Sequence, residues 1–211
     1  PGGSGVDIMA NLPAARLGRL ESEFEVLDDY DLVVVDTVSG DSRGLTSLIL
    51  ASSEVLLVIT PEPASLTEAY GLVKLLHEHE FPGRMDVIVN HARTRTQAEQ
   101  AFARFQEVAR LYLSRSFTLL GMIPNDNRSG AGVSRQQALV TLYPDSPAAQ
   151  RLRELADTIL LSESAVHESS REFWERYCRA LPVEEAAGPA PTTAPQAAGE
   201  LMPAAGTDGL V

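Results

Sequence analysis

Four short runs rich in β-branched and large apolar residues punctuate the chain: DLVVVDT at 31–37, EVLLVIT at 54–60, MDVIVNH at 85–91 and FTLLGMIP at 117–124. Their density in Val, Ile and Leu predicts buried strands. Between them the apolar period changes from that of a strand to three and four. Residues 65–80 place Leu66, Ala69, Tyr70 and Val73 on one helical face, with Ser65 and Glu68 spaced as a capping box. Residues 95–115 repeat the pattern with Ala98, Ala101, Phe102, Phe105, Val108, Ala109 and Tyr112. A third helix is expected from Ser146 and Pro147 as N-cap and first-turn residue, followed by Ala149, Leu152, Leu155, Ala156 and Ile159. Strands alternating with helices predict parallel strands joined by right-handed crossovers. The expected architecture is therefore α/β, a doubly wound and mostly parallel sheet.

The pattern also divides the chain. One domain is expected over 1–163 and a separate amphipathic helix over 164–182. The Ala-, Pro-, Gly- and Thr-rich stretch 183–211 carries too few large apolar groups to offset ordering entropy and reads as a disordered tail. The segment through Leu27 resembles the middle of an α/β unit, so the sheet is expected to be incomplete at its amino end. A formal net charge of -12 disfavours strong nucleic-acid binding, which needs clustered Lys and Arg facing phosphates. The single cysteine, Cys178, excludes an intrachain disulfide framework and fits a reducing, cytoplasmic setting. No apolar run approaches the roughly 20 residues that cross a bilayer, and PGGSGVDIMANL lacks the basic and apolar regions of a signal peptide.

Chemistry in an open α/β sheet collects where strand carboxyl ends meet helix amino termini. Asp36 ends the first apolar run there, ahead of a turn with Thr37, Ser39 and Gly40. Its carboxylate can hold Mg²⁺ through water, accept a phosphoryl group, or merely cap the turn. Gly40, lacking a side chain, lets backbone N–H approach a phosphate oxygen. Asn90 and the IPND turn containing Pro124 and Asp126 end the later strands, where turn formation is the plainer role for each.

DLVVVDTVSG, SSEVLLVITPEPASLTEAYGLVKLL, VIVNHA and LLGMIPNDNRSG, taken in order, resemble the MinD/ParA family of deviant P-loop ATPases over about residues 1–160. PGGSGV, TPEPASLTEAY and LYPDSPAA resemble in particular its FlhG/FleN-type regulators of flagellar number and placement. The resemblance implies a P-loop NTPase fold and an ATP hydrolase with ATP and Mg²⁺ as cofactors. It places Asp36 on the Walker B aspartate that organises Mg²⁺ through water, and Gly40 on the switch glycine that senses the γ-phosphate. Asn90 falls on the asparagine that reads the adenine edge, and Pro124 and Asp126 fall on the loop flanking the base. An ATP-dependent homodimer, a flagellar regulatory partner and contact with the inner face of the plasma membrane are implied in the same way.

Departures accompany the matches. Val38 and Ser39 stand where the family has a small Gly-Ala or Pro-Ala pair, Asp41 where an apolar residue is common, and His91 where a basic residue follows the asparagine. No KGGxGKT-type loop occurs in the chain; PGGSG has no Lys to reach β- and γ-phosphates. The 211 residues alone are therefore expected to bind ATP poorly. A non-catalytic interaction module and a ParA-type partition ATPase are the alternatives, the latter disfavoured by the acidic balance.

Residues 169–181, SSREFWERYCRAL, begin with a capping box at Ser169 and Glu172 and set Phe173, Trp174, Tyr177, Cys178 and Leu181 on a narrow apolar face beside three arginines. An interfacial helix has that layout, and members of the resembled family end in one. A terminal helix docked on the domain, or one that binds a partner, has the same pattern.

Overall fold

The computed structural model describes residues 22–37, 43–162 and 169–181. The expectations for 1–21, Val38–Gly40, Asp41 and the 183–211 tail lie outside these residues. After a 3₁₀ turn (Glu25–Asp29), the elements are α1 (Arg43–Ala51), β1 (Glu54–Ile59), α2 (Pro63–Glu78), β2 (Arg84–Ala92), α3 (Arg95–Leu113) and β3 (Thr118–Pro124). Then follow α4 (Ser129–Ser134), α5 (Leu139–Leu142), α6 (Pro147–Leu161) and α7 (Ser170–Ala180).

The strands form a parallel sheet in the order β1-β2-β3, paired from Glu54↔Arg84 to Ile59↔Val89 and from Asp86↔Thr118 to Ala92↔Pro124. Central β2 is buried without a break from Met85 to Val89, as a strand covered on both faces must be. Val87, Val89, Leu57 and Ile59 pack with Ala69, Val73 and Leu76 of α2, Ala98, Ala101 and Phe105 of α3, and Leu45 and Ile49 of α1. On β3, Leu119 and Met122 join this core, whereas Gly121 faces Leu155 of α6. Helices thus cover both faces of the sheet, and the fold is a partial, doubly wound α/β sheet.

Three of the four expected strands form. The fourth does not: residues 32–37 have no strand partner among the described residues and are exposed, Val34 by 74%. The reason lies in what an apolar run needs. A strand apolar on both faces is stable only between neighbours and beneath covering helices, and no described element supplies them. The β1 edge facing away from β2 has no partner among the described residues, and Val58 beside it is 53% exposed.

The helices adjust the reading in smaller ways. α2 starts at Pro63 rather than at Ser65, because Pro suits the first turn; Ser65 Oγ instead accepts the Thr60 N–H at 2.9 Å. α3 is capped by Thr94, whose side chain accepts the Gln97 N–H, and Val108 and Tyr112 lie exposed at the rim of its apolar stripe. The Ser146 cap with Pro147 and the Ser169–Glu172 capping box both form.

α7 is docked. Trp174 and Tyr177 are buried with Leu48 and Ala51 of α1, while Phe24 stacks on Phe173 at 5.9 Å and lies 5.3 Å from the Trp174 ring. Polar ties fix the helix along its length. Ser170 donates its N–H and hydroxyl to Asp28, at 2.6 and 3.1 Å. Arg176 Nε donates to the Ala51 carbonyl at 2.8 Å, and Ser47 Oγ donates to the Ala180 carbonyl at 2.8 Å. Of the residues set out for lipid contact, Trp174 and Tyr177 are buried, Phe173 and Leu181 are half-buried against the same cluster, and Cys178 is exposed off that face.

Candidate functional site

A cavity of about 540 Å³ opens at the carboxyl ends of β2 and β3. Asn90 and His91 line it from β2, and Ile123 and Pro124 from β3. Ser129, Gly132 and Val133 of α4 form another wall, Gln136–Leu139 continue it, and Ala148 and Leu152 of α6 complete it. The lining is largely apolar with a few amide and hydroxyl groups.

Local sequence builds each wall. The loop after β3 is tied to β2 by the Asn125 N–H, which donates to the Ala92 carbonyl at 3.0 Å. α4 ends in a Schellman motif: Gln137 N–H donates to the Gly132 carbonyl at 3.0 Å and Gln136 N–H to the Val133 carbonyl at 3.1 Å, with Gln136 left-handed at φ 52°. Gly132 permits this closure, because a Cβ there would lie 2.9 Å from the Gln137 carbonyl oxygen. Arg153 of α6 donates to the Pro144 carbonyl at 2.7 Å and the Val140 carbonyl at 3.0 Å, pinning the segment that carries Leu139.

Asp126 stands behind the slot and does not line it. Its side chain is buried, with Oδ1 accepting the Arg128 backbone N–H at 3.0 Å and Arg128 Nε at 3.2 Å. The Arg128 N–H chiefly holds this carboxyl below its ordinary range against the opposing effect of desolvation, and the Arg128 guanidinium and Ser146 hydroxyl add weaker pulls. Oδ2 makes no hydrogen bond of good geometry. Asp126 therefore shapes the turn after Pro124 and links it to Ser146, the buried N-cap of α6.

The structure thus brings Asn90 and Pro124 together in one cavity, with Asp126 supporting it. Asp36 is exposed on the undocked 32–37 segment and does not line the cavity, and Gly40 lies outside the described residues. Gln136, Gln137 and the α4 wall were not singled out from the sequence; Gly132 in a short small-residue helix was the available signal. Among the described residues no cluster of His, Cys, Asp or Glu could by itself hold a metal ion. Asp36, a single carboxylate, fits Mg²⁺ only where phosphate oxygens and water complete the shell.

No family model matches the chain. The antiactivator FleN of Pseudomonas aeruginosa is 31% identical over 160 residues, 75% of this chain and 57% of that protein. The flagellum site-determining protein YlxH of Helicobacter pylori is 26% identical over 86% of this chain and 63% of its own length. The chain therefore spans about 57–63% of the length of these relatives. The MinD cell division protein of Aquifex aeolicus superposes with a TM-score of 0.57 at 20% identity, covering 71% of this chain and 61% of that one, and so shares the fold. With a parallel sheet covered by helices and these relatives, the chain belongs to the MinD/ParA family of deviant P-loop ATPases.

Proposed function

We propose that this chain is the base-reading and switch-bearing portion of a MinD/ParA-type ATPase, a nucleotide-dependent dimerisation switch in the spatial regulation of flagella or another polar structure. The cavity at the ends of β2 and β3, lined by Asn90 and Pro124, carries the reading. It has the volume and apolar walls for a nucleobase, and Asn90 supplies an amide with both donor and acceptor capacity.

Phosphate binding in this class rests on a glycine loop with a Lys, which the 211 residues lack. The edge of β1 that has no partner among the described residues and the exposed apolar run at 32–35 support a sheet completed by further strands, which in this reading bring the phosphate loop with them. Addition of 31–37 to that completed sheet would carry Asp36 to the strand ends, where its charge would hold the water shell of Mg²⁺. Peripheral attachment to the inner membrane face through Phe173, Trp174, Tyr177 and Leu181 would require α7 to leave its seat on α1. The alternative reading is a non-catalytic interaction module on the same fold, which Val38 and Ser39 at the switch would support.

ATP binding and turnover, measured on the chain extended upstream through a lysine-containing glycine loop, test the proposal. Expected is Mg²⁺-dependent hydrolysis that Asp36→Asn abolishes. Zero turnover in a folded, extended protein favours the interaction module, and near-normal turnover by Asp36→Asn removes Asp36 from the metal site.

A further inference from the structure

β2 carries a defect at its carboxyl end. Pairing runs to Val89↔Met122 and resumes at Ala92↔Pro124, so Asn90 and His91 together stand opposite the single residue Ile123. One extra residue in one strand is a β-bulge, a feature that re-aims side chains. Consecutive side chains of an unbroken strand point to opposite faces. Here Asn90 and His91 line the same cavity.

The backbone shows how. Among the described residues, four other than Gly have positive φ: Glu80, His91, Ser114 and Gln136. Glu80, Ser114 and Gln136 follow the ends of α2, α3 and α4, where a left-handed residue commonly terminates a helix. His91, at φ 58°, lies inside a strand and has no such cause. Its turn makes one bond: the His91 N–H donates to Asn90 Oδ1 at 2.8 Å. A backbone N–H can only donate, so the Asn90 atom facing it is the carbonyl oxygen and the NH₂ group is directed elsewhere.

We propose that His91 is a positioning residue that makes the slot select adenine over guanine, by tethering the Asn90 carboxamide through its left-handed backbone. The inference rests on the nucleotide reading of the cavity. With Oδ1 held, the amide offers the NH₂ and one remaining oxygen lone pair side by side, the complement of the adenine N6/N7 edge. Guanine presents acceptors at both positions, O6 and N7. A freely turning amide can rotate to offer only its NH₂ hydrogens to guanine; a tethered one meets O6 with its own oxygen.

The test is ¹⁵N NMR of the chain extended upstream through a lysine-containing glycine loop, following the Asn90 side-chain NH₂ and the residue-91 amide during titration with ATP and with GTP. Native protein, His91→Gly, His91→Ala and His91→Val are compared. Glycine adopts positive φ freely, whereas any side chain there, that of His91 included, costs about 1–2 kcal/mol, so Gly should hold the tether about tenfold more firmly than native, with Ala near native and β-branched Val weaker. Expected is an ordered Asn90 NH₂ and a slowly exchanging residue-91 amide in native and Gly proteins, with ATP favoured over GTP. In the Val protein the amide should exchange faster than in native and the preference should shrink toward unity, whereas Gly should slow the exchange and widen the preference over Ala. If Val fails to fold, the Gly-over-Ala order carries the same comparison. A mobile Asn90 amide in the native protein, or equal selectivity in Gly and Ala proteins, overturns the proposal. An ordered amide that neither nucleotide perturbs overturns the nucleotide reading, and with it the selectivity, while leaving the tether established.

Discussion

Trp174→Ala is expected to loosen the α7 seam without disturbing the sheet. The substitution removes an indole lying 5.3 Å from the Phe24 ring and 5.4 Å from the Tyr177 ring, on Leu48 and Ala51. Deleting a buried Trp costs about 3–5 kcal/mol. The lower end applies here, because Phe24, Phe173 and Leu181 around it are only partly buried and the space can collapse or admit water. About 3 kcal/mol is roughly a hundredfold in the docking equilibrium. The bonds from Ser170 to Asp28, Ser47 to Ala180 and Arg176 to Ala51 remain, so the helix stays docked most of the time. Amide hydrogen exchange reads this directly. Amides of Trp174–Ala180 should exchange about a hundredfold faster, while Val87 and Val89 of the central strand change little. A change below about threefold in α7, or equal acceleration of α7 and β2, would refute the argument that the indole anchors a separately opening seam.

Three further outcomes are expected. Tyr177 is buried with a hydroxyl that has no hydrogen-bond partner among the described residues, and burial first, then the neighbouring Cys178, pushes its pKa up; Tyr177→Phe should therefore leave Tm unchanged or raise stability by up to about 1 kcal/mol, and a clear loss would show a further partner. Gly83→Ala would drive a Cβ into the Ser53 carbonyl oxygen and the Phe81 ring, so the turn into β2 must move; a loss of about 3 kcal/mol in denaturant melts is expected, and a neutral result would refute the close packing. Asp126 has a carboxyl held below its ordinary range, so its contribution is full above the unfolded-state value of about 3.9 and disappears as pH falls through the lower native value. The Tm gap between native protein and Asp126→Asn should hold at neutral pH and close in acid; a gap that persists to pH ~2 would show that charge is not its source.

Much of the fold was legible because its signals are local. Val and Ile runs mark β1, β2 and β3, and the caps at Ser146 and Ser169 each involve residues within three positions. What the sequence left open concerns context. DLVVVDT has the composition of a buried strand, but burial depends on neighbours that a run of valines does not specify. The stripe on α7 is the same whether lipid or α1 covers it, and the covering residues Phe24, Leu48 and Ala51 are distant in sequence. Asn90 and Pro124 were legible as strand-end residues that meet in one cavity. The bulge between them was not, since hydrophobic period carries no record of φ; the Asn-His pair, two residue types enriched in left-handed backbone, was the available hint.

The seam between the two ends of the described chain bears on the order of folding. Neighbouring strands of the sheet are joined by single crossovers, whereas Ser47 meets Ala180 across 133 positions and Asp28 meets Ser170 across 142. Closing so long a loop costs more entropy than any crossover, and its return comes only when α1 is already in place. During synthesis the described strands can therefore assemble before α7 has emerged, and α7, the latest of the described helices, becomes a clasp fastened onto them.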